Sequence, residues 1–72
     1  MNSAKLMAKI VENGTSVERL SYLMGISKST FDKKLRKDYH ADFYRREMIM
    51  IRNELNLTND EMTAIFFNEQ VA

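Results

Sequence analysis

The chain has 72 residues, 44% hydrophobic and 29% charged, with 11 basic and 10 acidic side chains and a net charge of +1. That length suits one small domain, near the lower limit for folding without disulfides or metal. It holds no cysteine, which excludes a disulfide framework and a thiolate metal site, and its apolar content is too high for a disordered chain.

No apolar run reaches membrane-spanning length. Met1 to Lys5 is not followed by the uninterrupted apolar stretch of a signal peptide, so a cytoplasmic chain is expected. With no proline and two glycines, the composition predicts an all-helical domain over residues 1–72. The even charge balance hides an asymmetry. Residues 1–40 carry eight basic and four acidic side chains, a net +4, and residues 41–72 carry three and six, a net −3. A basic half joined to an acidic half suggests an anionic partner on one side of the molecule.

The apolar spacing predicts five helices. Leu6, Met7, Ile10 and Val11 form the stripe of the first, with Ser3 as its cap and Asn13-Gly14 as its stop. Thr15-Ser16-Val17-Glu18 has capping-box spacing and opens the second. Val17, Leu20, Leu23 and Met24 make its apolar face, with small Ser21 on the same side, and Gly25 ends it. After the short connection Gly25-Ile26-Ser27, Ser27 caps a third helix whose large apolar residues are Phe31 and Leu35. So narrow a stripe attaches a helix by one side and exposes the rest. Lys37 to Asp42 reads as a polar loop holding Tyr39 and His40. A fourth helix follows, with Tyr44, Met48, Ile51 and Leu55 on one stripe and a break at Asn56-Leu57. Thr58-Asn59-Asp60-Glu61 is a second capping box, opening a fifth helix with Met62, Ile65 and Phe66 inward. Residues 68–72 are expected to fray.

Two helices joined by a short glycine-containing turn are the signature of a helix-turn-helix, here over about 16–36. Ser21 is small where the helices approach, and Gly25 permits the turn. Ile26, Phe31 and Leu35 anchor the second helix of the pair. Its uncovered face carries Lys28, Asp32 and Arg36 on one row and Ser29 and Lys33 on the next, flanked by Thr30, Lys34 and Lys37. Lys and Ser can donate to base edges in a major groove. Lys34, Arg36 and Lys37 suit phosphate contacts, and the helix start near Ser16 suits another through free amides. The plainer reading of Lys33-Lys34 and Arg36-Lys37 is a solvated face.

Leu20 to Leu35 resembles the helix-turn-helix of small phage regulators of the lambda repressor and Cro type. Met48 to Phe67 is similar to the closing helices of Cro-like proteins from phages of Gram-positive bacteria. The resemblance covers almost the whole chain and implies a compact five-helix fold of lambda-repressor type. It also implies that Lys28, Ser29 and Lys33 reach base edges of operator DNA. Two positions depart from that pattern. Val17 stands where a glutamine often braces the recognition helix, and Asp32 sits in the middle of the reading face. Size and the N-terminal half also resemble the modulator-of-repression proteins of lactococcal temperate phages. That likeness implies a cognate phage repressor as partner, docked on the mixed-charge face from Lys28 to Arg36 and blocked from its operator. Asp32 and the near-zero net charge are easier to understand under this second role.

The remaining features carry less. Arg45-Arg46 reads as surface. His40 has no second ligand for a metal. Asp60 and Glu61 are explained by capping and the helix dipole. Ile49, Met50 and Phe67 are hard to bury, and six methionines suggest an adaptable surface, so these three are candidates for an apolar protein interface, either a homodimer or a heterodimer. No catalytic grouping, phosphate loop or metal spacing is present. No enzyme activity, cofactor, metal, membrane or small-molecule substrate is expected.

Overall fold

The computed structural model describes residues 1–36 and 42–67. Among them the chain forms five α-helices and no strand. These are α1 (Ser3–Glu12), α2 (Val17–Met24), α3 (Lys28–Arg36), α4 (Arg45–Leu55) and α5 (Asn59–Phe66). The all-α expectation holds. No helix among the described residues is long and apolar enough to cross a membrane. The radius of gyration is 11.4 Å, close to the ~11 Å expected of one globule of this length.

The helix ends follow local chemistry, with three corrections. Asn2, not Ser3, caps α1, its side chain accepting from the Lys5 amide at 3.0 Å. Ser3 lies inside the helix, and its Oγ donates to the Leu35 carbonyl at 2.7 Å, tying the start of α1 to the end of α3. At α2 the cap is Ser16, which accepts from the Arg19 amide at 3.2 Å. That leaves Thr15 outside the helix, with a buried Oγ1 that finds no hydrogen-bond partner. Tyr44 does not face inward along α4. It is the N-cap position and is 61% exposed, because the helix starts only at Arg45.

Other ends are as expected. Gly25 closes α2 in the left-handed region at φ 72°, where any other side chain is strained. Ser27 Oγ accepts from the Thr30 amide at 3.0 Å and opens α3. Thr58 and Glu61 form the reciprocal capping box of α5, with bonds of 2.9 and 3.1 Å.

The core gathers Leu6, Ile10, Val17, Leu20, Phe31, Ile51, Leu55 and Ile65 from all five helices. Met24, Ile26, Leu35, Met48, Met62 and Phe66 pack around them, half-buried. On α1 the buried stripe is narrower than expected, since Met7 and Val11 face solvent. Leu23 on α2 is also partly exposed. Two core residues lie outside the helices. Leu57 is buried after the turn at Asn56. Phe43, between the polar stretch Lys37 to Asp42 and α4 and not singled out in the sequence, is 3% exposed and meets Phe31 and Phe66 edge-on at 5.2 and 5.9 Å. This aromatic trio joins α3, the approach to α4, and α5. A fully buried aromatic is a large part of so small a core.

Candidate functional site

The third helix presents most of the residues singled out in the sequence. Residues 31, 34 and 35 face inward, because positions three and four apart share a helix face. Lys28, Ser29, Lys33 and Arg36 are exposed on the opposite side, with Asp32 half-buried among them. Thr30 lies at the margin and is half-buried, its Oγ1 accepting from Ser27 Oγ at 2.9 Å. The structure therefore brings Lys28, Ser29, Asp32, Lys33 and Arg36 together on one outer face.

That face is less basic than its composition suggests. Lys28 Nζ lies 3.2 Å from Asp32 Oδ2, one turn along the helix. An exposed pair of this kind adds little stability. Its effect is on the field, since it sets a carboxylate beside the first cation of the row. Lys33 is exposed and has no ion pair among the described residues.

Lys34 is the main correction. Expected as a phosphate contact, it is instead 6% exposed. Its ammonium is 2.9 Å from Glu47 Oε1 and 3.0 Å from the Asp42 carbonyl, and 4.2 Å from the centre of the Tyr44 ring. Glu47 is itself 3% exposed, and the same Oε1 accepts from the Tyr44 amide at 2.8 Å. Lys34 is thus directed at the start of α4 and away from the outer face. The sequence holds the signal. Lys34 follows Phe31 by three residues, which places it on the buried side, and Glu47 stands at the third position of α4, where a carboxylate reaches back to cap.

Of the remaining flank residues, Ser16 is engaged within its own helix. Ser16 is exposed, but its Oγ already occupies the Arg19 amide. Glu18 in the first turn of α2 places a carboxylate beside it. Lys37 lies outside the described residues, as do Tyr39 and His40.

Ile49, Met50 and Phe67 are exposed, at 46%, 38% and 58%. They do not form one described cluster with α3. Tyr44 is a residue that sequence reasoning missed as surface. Arg46 flanks its ring at 5.6 Å, opposite in origin to Lys34, so the ring joins the start of α4 to α3 through cation–π contact.

One further electrostatic contact braces the fold away from α3. Lys9 of α1 bonds Glu61 of α5 and lies 3.5 Å from Glu12. The Lys9 ammonium, with the Thr58 amide, holds the Glu61 carboxyl down at about 2. Hydrogen bonding to Glu61 raises Lys9 above its ordinary value of 10.5.

No family model, curated protein or solved structure matches this chain.

Proposed function

We propose that the chain is a binding protein, not an enzyme: a small helix-turn-helix modulator of a phage repressor. In this reading α2, the turn at Gly25–Ser27 and α3 form the helix-turn-helix. The outer face of α3, with Lys28, Ser29, Asp32, Lys33 and Arg36, docks on the DNA-binding surface of the cognate repressor in the bacterial host cell. The repressor is then kept from its operator, which shifts the switch away from lysogeny.

The observation that carries this reading is the Lys28–Asp32 pair, 3.2 Å apart on the outer face of α3, together with the withdrawal of Lys34 from that face. A surface that binds DNA through phosphates gains from every outward cation. Here one cation is buried and another stands beside a carboxylate. A repressor's DNA-binding surface is itself cationic, so Asp32 is complementary to it and repelled by phosphate. Lys28 is only loosely held by Asp32 and can exchange it for an acceptor on the partner.

A second reading rests on Lys33 and Arg36, which remain exposed beside Ser29. In it the chain is a Cro-like repressor that places the helix 27–36 in an operator major groove, as a dimer on a two-fold site. The two readings differ at Asp32. Asp32→Asn is expected to weaken the complex with the repressor about tenfold, the worth of one charge-assisted hydrogen bond, and to leave or improve DNA binding. If Asp32→Asn leaves repressor binding intact and Lys33→Ala weakens sequence-selective DNA binding, the Cro-like reading holds instead.

A further inference from the structure

The Asn13-Gly14 step that ends α1 has a chemistry beyond stopping a helix. Asn13 is the only asparagine in the chain that precedes a glycine. A glycine nitrogen has no side chain beside it, so it reaches the preceding asparagine Cγ with the least hindrance. Both residues are exposed, and nothing lies within 4 Å of the Cβ position at Gly14.

Three hydrogen bonds hold the pair out of reacting position. The Gly14 amide donates to the Val11 carbonyl at 3.0 Å and the Thr15 amide to the Ile10 carbonyl at 3.2 Å, with Gly14 at φ 66°. This is the paired closure of a helix end through a left-handed residue. Asn13 Nδ2 donates to the Lys9 carbonyl at 2.8 Å, which draws the side-chain amide back along α1. Attack also requires the Gly14 amide to give up its proton, and the Val11 carbonyl holds that proton. All three bonds lie within residues 9–15. They can release together while the core stays closed.

We propose that Asn13 is a self-modification site that deamidates through local release of the α1 end, without unfolding of the whole chain. The Gly14 nitrogen passes its proton to a solvent base and bonds to Asn13 Cγ. The Cγ–Nδ2 bond breaks, and ammonia leaves with a proton from solvent. Water opens the resulting five-membered imide. Addition at Cγ restores the normal chain with a carboxylate at position 13, and addition at the main-chain carbonyl carbon routes the chain through the side chain. Either product loses the donor to the Lys9 carbonyl. Either also adds a negative charge next to Glu12, at the helix end that already carries partial negative charge. Modification therefore weakens the α1 end irreversibly. The site is separate from the outer face of α3 and does not depend on the proposed function.

The test incubates the full chain in mildly alkaline buffer, from no urea to full denaturation, and follows each asparagine by peptide mass mapping. The tryptic peptide from Ile10 to Arg19 contains no other asparagine, so its amide-to-acid mass gain reports position 13 alone. Without urea this peptide should convert ahead of every other asparagine peptide. Its rate should be about ten- to a hundredfold below that of the denatured chain, the scale of two or three hydrogen bonds. Below the unfolding transition the rate should rise less than about twofold per molar urea, because a local opening exposes little surface. A rise of about fivefold per molar urea would mean that only global unfolding admits the reaction, and would overturn the proposal. Suppression of about a thousandfold or more in the folded chain would do the same. Earlier conversion of another asparagine, or equal rates in the folded and denatured chains, would also overturn it.

Discussion

The buried pair Lys34–Glu47 is the contact whose loss should be felt most. The perturbation is a cycle of three variants: Lys34→Met, Glu47→Leu and the two together. In Glu47→Leu the Lys34 ammonium keeps only the Asp42 carbonyl and the Tyr44 ring, and the Tyr44 amide loses its acceptor. In Lys34→Met a 3% exposed carboxylate keeps only the Tyr44 amide and its own helix. Breaking a buried pair by removing one member costs about 3–5 kcal/mol. A folded chain of 72 residues has about 4–11 kcal/mol in all, at about 0.05–0.15 kcal/mol per residue. Either single change should therefore remove much of the stability. The double variant replaces two charges with packed apolar side chains, which is often close to neutral. It should be more stable than either single variant by at least about 2 kcal/mol, and the coupling is the cost of the double variant minus the summed costs of the two singles. Urea unfolding followed by circular dichroism reads this directly. With a slope near 1 kcal/mol per molar urea, the double variant should unfold at least about 2 M later than the singles. Costs that simply add, with the double variant weaker than both, would refute the argument that these groups depend on each other.

Other consequences are smaller. The Glu61 carboxyl is held at about 2, below its ordinary 4.5, mainly by Lys9. The folded chain therefore binds fewer protons there than the unfolded chain, and this contribution is present above pH ~4.5 and lost as pH falls towards 2. Urea midpoints from pH 6 down to 2 should fall more steeply for the unaltered chain than for Glu61→Gln, and equal slopes would count against the contact. Gly25 has φ 72° and open space around a Cβ position, so Gly25→Ala should cost only the left-handed backbone strain, about 1–2 kcal/mol. A thermal melt checks this, and an unchanged midpoint would show that the turn relaxes.

The helices were legible because their signals are local. Apolar residues three and four apart mark the buried faces of α2, α4 and α5. Gly25, Ser27 and the Thr58–Glu61 box mark ends by their own hydrogen-bonding chemistry. What was hidden depends on partners distant in sequence. Phe43 follows a polar stretch and belongs to no helical stripe, so its burial shows only when Phe31 and Phe66 enclose it, although its place just before a helix, five residues ahead of Met48, has the spacing of a hydrophobic staple. Lys34 reads as surface because lysine seldom lies buried without a partner, and that partner, Glu47, is thirteen residues away. Met7 and Val11 differ the other way: their spacing is helical, yet both are exposed, with no described element packed over that side of α1. The outer face of α3 was legible in position, since phasing from Phe31 and Leu35 fixes it. The Lys28–Asp32 pairing was legible too, as a four-residue spacing.

The central claim is that the outer face of α3 meets a repressor protein in preference to DNA. Fluorescence anisotropy on duplexes from the gene's own upstream region, over a salt series, with and without the proposed repressor partner, tests it most directly. The account predicts weak, unselective binding by this chain alone and loss of the repressor's own DNA binding when the chain is added. Tight, sequence-selective binding by the chain alone, with the repressor's affinity unchanged by its presence, would contradict it.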